Sequence, residues 1–169
     1  MVTMKTVTVD TNVITIDELF EKGRACGFEM NKVTVTKREL EPSSLVNAQR
    51  DLGTILETAV WGESRWDECE WSDDESKDFL EEIFRIISSD SFPKERDSLS
   101  NGQRRQLRDA MIFQAHFRDN RDIFVSDDKK AFINNGRRAI LENTFNTKIL
   151  TSEEFLEYCQ NLEDKKLRK

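Results

Sequence analysis

The stretch RDIFVSDDKKAF, residues 121–132, decides the fold. Its run Ile123-Phe124-Val125 is short, β-branched or aromatic, and stops at Ser126-Asp127-Asp128, as a buried strand does where it opens into a polar loop. Two adjacent carboxylates at a strand end repel each other, so a lysine, a helix N-terminus or a bound cation is expected to offset them. The same pair also reads as a turn and helix cap ahead of KKAFI.

Upstream, KTVTVDTNVI (5–14) alternates β-branched residues from Val7 to Val9 and places Asp10 at the strand's end. IDELFEKGRACGF (16–28) reads as a helix with Leu19, Phe20 and Ala25 on its apolar side. NKVTVT (31–36) is a second short strand, and Glu39 lies just past it. Pro42 can open a helix, and a long helical pattern follows it as far as Trp61. KDFLEEIFRIISS (77–89) is an amphipathic helix, residues 90–103 form a turn-rich loop, and RRQLRDAMIFQAHFRDNR (104–121) is a helix carrying Asp109. After the third strand, KKAFINNGRRAILENTF (129–145) is a broken helical pattern and TKIL (147–150) a short fourth strand. TSEEFLEYCQNLEDKK (151–166) closes the chain as a helix capped by Thr151 or Ser152.

Short strands alternating with longer helices predict an α/β fold, a three-layer α/β/α sandwich with a short, mostly parallel central sheet. The six glycines are scattered and form no phosphate-binding loop, which weighs against a Rossmann or P-loop nucleotide fold. At 169 residues the chain reads as one domain, 1–169. Its excursion at 61–77, WGESRWDECEWSDDESK, is acidic and carries Trp61, Trp66 and Trp71. A five-residue interval turns about 140° around a helix, so the three rings cannot share one helical face. The segment either packs on the domain or receives a partner.

The net charge of −7 argues against a broad polyanion-binding surface. A local basic patch or a metal-mediated phosphate site remains compatible with it, and so does a basic protein partner. Cys26, Cys69 and Cys159 form no metal-binding spacing, so a reducing cytoplasm is the simplest compartment. No stretch has the length of a membrane span or the apolar core of a signal peptide. The lone histidine, His116, excludes a His-rich metal site and reads as a surface or half-buried helical residue, or as a single base.

In open parallel sheets, ligands sit outside the carboxyl ends of the strands. Asp10 ends the first strand, Glu39 follows the second, Asp127 and Asp128 follow the third, and Asp109 lies on the helix before it. Carboxylates gathered at one edge need cations, and hard oxygen donors suit Mg²⁺ or Mn²⁺. Scattered surface acids are the competing reading.

Four motifs in this order resemble the PIN-domain family of metal-dependent nucleases, which includes toxin ribonucleases of toxin–antitoxin pairs. VTVDTNVI supplies Asp10 and Asn12. VTVTKREL supplies Glu39, with Glu41 its neighbouring rival. RDAMIFQA supplies Asp109, Ala110, Ile112 and Ala115, and IFVSDDKKAF supplies Ser126, Asp128 and Phe132. The match runs from residue 5 to about residue 150.

The resemblance implies a metal-dependent endoribonuclease, leaving a 5′-phosphate and a 3′-hydroxyl. Asp10, Asp109 and Asp128 would hold Mg or Mn, and Glu39 would complete the site directly or through water. Asn12, Ser126 and Asp127 would stand behind these ligands. Lys37, Arg38, Arg105, Arg108 and Lys129, with Arg104 and Lys130 nearby, would form a basic rim for the RNA backbone. The family also implies a basic, antitoxin-like protein partner, and a homodimer is compatible. The Trp-bearing acidic segment and the negative charge support a different class, a PIN-like module that binds a partner without cutting. A DNA-directed or structure-specific nuclease shares the same chemistry.

Overall fold

Along Ile123-Phe124-Val125, successive side chains turn to opposite faces of one sheet. Ile123 and Val125 join Val7, Val9, Leu19, Met30 and Phe155 on one face, whereas Phe124 joins Ile83, Phe84, Ile112, Phe113 and Phe132 on the other. A computed structural model describes residues 4–49 and 52–168. The five-stranded sheet comprises β1 (Thr6–Val9), β2 (Glu29–Val33), β3 (Gly53–Ile55), β6 (Ile123–Val125) and β7 (Lys148–Leu150), in the order β3-β2-β1-β6-β7. Every pairing in it is parallel. A second, two-stranded sheet pairs β4 (Glu57–Thr58) with β5 (Cys69–Glu70).

Helices α1 (Asp17–Ala25) and α6 (Ser152–Leu167) cover one face. The other is covered by α3 (Asp74–Ser88), α4 (Asn101–Arg118) and α5 (Arg137–Phe145). The expected three-layer α/β/α sandwich is therefore present. Its helix ends follow the sequence signals closely. Thr151 and Glu154 form a reciprocal capping box on α6, Ser100 and Gln103 form one on α4, and Asp73 caps α3. No helix among the described residues is long and apolar enough to cross a membrane.

Two secondary-structure expectations are corrected. The segment after Pro42 is not a long helix: a 3₁₀ turn at Ser44–Gln49 gives way to β3 and β4. Gly53-Thr54-Ile55 pairs with Asn31–Val33, and Gly53 lies so close to the Asn31 amide that a β-carbon there would collide with it. Strand pairing across the chain outweighs the helical pattern, and the segment buries Leu52 and Val60 while Leu56 remains exposed. The second strand also ends at Val33, and Thr34-Val35-Thr36 opens α2 (Thr34–Leu40) instead of extending it. Thr34 is held by Glu57, whose amide donates to its hydroxyl and whose carboxylate accepts from it, both at 2.9 Å. These bonds override the poor helix propensity of β-branched residues.

His116 is neither at the surface nor half-buried. It is fully enclosed, with Nδ1 2.9 Å from the Thr8 hydroxyl and Nε2 2.6 Å from that of Thr147. Burial, and secondarily the Arg121 charge, push its pKa down to about 3. The unfolded chain, with a histidine near 6.5, takes a proton that the folded chain refuses. Stability owed to neutral His116 is therefore complete above about pH 6.5 and declines as pH falls towards 3. Denaturant melts at pH 7 and pH 5 should show His116→Gln losing less stability on acidification than the wild type, by about 1–2 kcal/mol. Equal losses would contradict the assignment.

Candidate active site

Strand order reverses between β1 and β6, and in open parallel sheets the crevice at such a switch point is where ligands bind. Asp10 follows the last residue of β1, and Ser126-Asp127-Asp128 follow the last residue of β6. The Asp10 amide donates to the Val125 carbonyl at 2.9 Å, which locks the two strand ends together.

Asp10 is almost wholly buried, at 2% exposure. One carboxylate oxygen accepts from the Ser126 hydroxyl at 2.7 Å and the Asn12 amide at 2.9 Å, and the other accepts from the Thr11 backbone at 2.7 Å. Asn12 in turn accepts from the Asp127 backbone at 3.0 Å, and the Ser126 hydroxyl accepts from that of Asp128 at 3.1 Å. Asn12 and Ser126 thus fix the orientation of Asp10.

The opening Asp-Asp pair divides its work. The Asp127 carboxylate is engaged at the start of α6, accepting from the Ser152 amide at 2.8 Å and hydroxyl at 2.7 Å, where the helix dipole favours a negative charge. Only its backbone reaches the group around Asp10. Asp128 lies close enough for its charge to act on Asp10 and Asp109, and it also caps the π-helical turn Lys129–Ile133 by accepting from Ala131 at 2.8 Å. The cap reading and the site reading hold together for this residue.

Glu39 sits near the end of α2, and Thr11 donates a hydroxyl hydrogen bond of 2.6 Å to it. Asp109, half-buried on α4, accepts no hydrogen bond from the described residues. Burial pushes its carboxyl up to about 9, and the negative fields of Asp10, Asp128 and Glu39 push the same way. Asp10 rises to about 6, first through burial and then through Glu39 and Asp128, although Ser126 and Thr11 oppose the shift. The four carboxylates from separate parts of the sequence thus share one electrostatic neighbourhood.

These donors have the chemistry that a hard divalent cation takes: carboxylate oxygens, backed by hydroxyl and amide groups. Their spacing is looser than ligation requires. As the side chains stand, no group of three or more His, Cys, Asp or Glu residues among those described is close enough to hold a metal ion.

The expected basic rim is largely engaged within the chain. Arg38 makes a bidentate pair with fully buried Glu57, at 2.8 and 2.9 Å. Lys37 pairs with Glu68, and Arg104 pairs with Glu63. Arg108 approaches Glu63 at 3.2 Å and Glu39 at 3.9 Å. Glu63 and Glu68 both belong to the acidic Trp segment, which therefore lies over these cations. Arg105 and Lys129 are exposed and join no ion pair among the described residues, although the Arg105 charge partly offsets the rise at Asp109.

Residue-type patterns do not single out Thr11, Glu57, Glu63 or Glu68. Thr11 occupies the variable middle of Asp-x-Asn, and the three glutamates acquire partners only through tertiary contacts. Glu41, the rival of Glu39, is engaged by Arg65 at 2.7 and 2.8 Å and contributes nothing to the raised carboxyls.

Compared with known proteins, the chain matches no family model, no curated protein and no solved structure. The fold and the site define an α/β protein with helices on both faces of a parallel sheet and acids gathered at its switch point. Its likeness to the PIN domain rests on the motifs and this placement.

Proposed function

We propose that the chain is a divalent-cation-dependent phosphodiesterase that cleaves RNA at the β1–β6 edge. The observation that supports this most is the electrostatic convergence of Asp10, Glu39, Asp109 and Asp128, whose mutual repulsion is only partly relieved by Arg105 beside Asp109 and by Arg108 at 3.9 Å from Glu39. Mg²⁺ or Mn²⁺ held by Asp10, Asp109 and Asp128 would neutralise the scissile phosphate and acidify an attacking water. Asn12 and Ser126 keep Asp10 aimed, and Thr11 keeps Glu39 oriented where it can take up a proton. Arg105 and Lys129 are the cations free to meet the backbone on either side.

A second reading has its own support, and as the side chains stand the geometry favours it. The absence of a closed ligand group among the described residues, together with a basic rim covered by Glu63 and Glu68, supports the reading of a PIN-like binding module. A DNA-directed nuclease would use the same acids. Incubation of the purified chain with a mixed RNA pool, and separately with single-stranded DNA, across Mn²⁺ and Mg²⁺ concentrations decides among the three. The nuclease reading expects metal-dependent cleavage that falls by at least about 10³-fold in Asp10→Asn and Asp128→Asn. Cleavage of DNA alone would assign the substrate differently, and no cleavage at any metal concentration would leave the binding module.

A further inference from the structure

We infer that the pocket walled by Trp61, Trp66 and Trp71 is a stacking platform for the unpaired bases of single-stranded nucleic acid, with Lys77 and Arg96 placed to receive its phosphates. This rests on the nucleic-acid reading above and names the strandedness of the substrate that reading leaves open.

The three indoles are 74%, 73% and 78% exposed, which is unusual for side chains of this size. They are not scattered. Trp66 meets Trp61 at a centroid distance of 6.5 Å and Trp71 at 5.2 Å, with the rings steeply inclined at 90° and 60°. Edge contacts of this kind leave ring faces open to a ligand. The sequence argument about helical faces does not apply, because the segment is not a helix. It leaves β4 and loops round so that β5 lies parallel beside that strand, and Gly62 supplies a left-handed turn at φ +82° beside Trp61.

Beneath the rings lies a cavity of about 520 Å³, bounded deeper down by Val60, Leu80 and Phe92. Its size falls within the range of about 300–1,000 Å³ common to small-molecule sites. The backbone that carries the indoles is fastened on several sides, by Glu63 to Arg104 and Arg108, by Glu68 to Lys37, and by Asp73 as the cap of α3. A ligand would find the walls already in place.

Charge selects the occupant. The segment 61–77 carries seven acids against two bases, which by itself would attract a cationic ligand. Yet Glu63 and Glu68 are bound to the rim arginines and lysine, Glu70 lies 3.5 Å from Arg118, Asp73 accepts from Ser76, and the exposed Asp67, Asp74 and Glu75 do not line the cavity. The charged groups that line the cavity itself are Lys77 and Arg96, and neither has an ion-pair partner among the described residues. Arg96 lies over the Phe92 ring at 5.3 Å, and its buried Nε has no hydrogen-bond partner. Open aromatic faces beside cations that lack a carboxylate partner among the described residues suit a flat, anionic ligand. Unpaired bases on a phosphate chain present that combination, whereas a duplex hides its base faces.

The three tryptophans are all that the chain contains, so its intrinsic indole fluorescence reports on this pocket alone. The test uses the full chain in EDTA, where cleavage cannot occur, titrated with 12-nucleotide oligo(dT) and oligo(rU) and with a 12-base-pair duplex. Anisotropy of the same oligonucleotides carrying fluorescein gives the affinities. Saturable quenching by both single strands is expected, with duplex binding at least about tenfold weaker. Trp66→Ala and Lys77→Gln, both at exposed positions, should each weaken single-strand binding, the former by about tenfold.

Absence of quenching up to about 100 µM, the weak end of nonspecific nucleic-acid binding, would overturn the proposal. So would equal affinity for the duplex, or affinity unchanged in Trp66→Ala. RNA cleavage without this binding would remove the platform and leave the nuclease, whereas binding without cleavage would do the reverse.

Discussion

Asp109→Asn is expected to raise the melting temperature of the metal-free protein at pH 8 by roughly 4–8 °C, corresponding to about 2 kcal/mol. An aspartate with an unfolded pKa near 3.9 and a folded value of about 9 releases its proton more readily when the chain unfolds. Stability therefore falls as pH rises through that interval, and the cost is already present at neutral pH. Asparagine carries no charge and escapes it. The gain should shrink at pH 5 and vanish near pH 4. The full shift would imply a larger effect, but Asp109 is only half-buried and solvent screens part of it. In the wild type, Mn²⁺ should raise the melting temperature by relieving the same repulsion, and Asp109→Asn should lose most of that response. Thermal scans of both proteins at pH 5 and 8, with and without Mn²⁺, check each part. A destabilised Asp109→Asn at pH 8 would show that this carboxylate supports the fold rather than straining it.

Arg38→Ala should destabilise the chain by about 3–5 kcal/mol, whatever it does to nucleic-acid binding. Glu57 is wholly buried, and its two oxygens face the Arg38 guanidinium in a fork. Loss of the arginine leaves a buried carboxylate with only the Thr34 hydroxyl to solvate it. Arg38 was expected on the rim from its place in the sequence, but its partner makes it a structural residue that joins α2 to β4. Arg38→Ala/Glu57→Gln should recover much of the loss, because the uncompensated charge is gone. Urea melts of the two variants measure this. A loss below about 1 kcal/mol in Arg38→Ala would mean that water reaches Glu57 and the pair is not sealed.

What the sequence reveals depends on how locally each feature is determined. The core strands β1 and β6 are legible because alternation and β-branching mark them directly, and the caps of α3, α4 and α6 lie within a turn of the residues they satisfy. Asp10 and Asp128 are legible at one edge because a parallel sheet sends the ends of its strands to the same side, and Asp109 is legible only as a residue of the helix before β6. Strands β3, β4 and β5 are short and gain their identity from partners elsewhere in the chain, so residues 44–60 look helical in isolation. The burial of His116 depends on Thr8 and Thr147, each more than 30 residues away. The covered basic rim was hidden for the same reason. Lys37, Arg38 and Arg108 look like free cations in the sequence, and only the folded chain brings Glu57, Glu63 and Glu68 against them.

Whether the β1–β6 edge is a cation site is tested, without knowledge of the substrate, by a calorimetric titration of Mn²⁺ into the metal-free chain. The wild type should show saturable binding with proton release near neutral pH, since Asp109 and a fraction of Asp10 must give up their protons to bind the ion. Asp10→Asn should bind at least about tenfold more weakly. Wild type and Asp10→Asn giving the same heats, with no proton release, would contradict the claim and leave the acids as an unfilled pocket in a binding module.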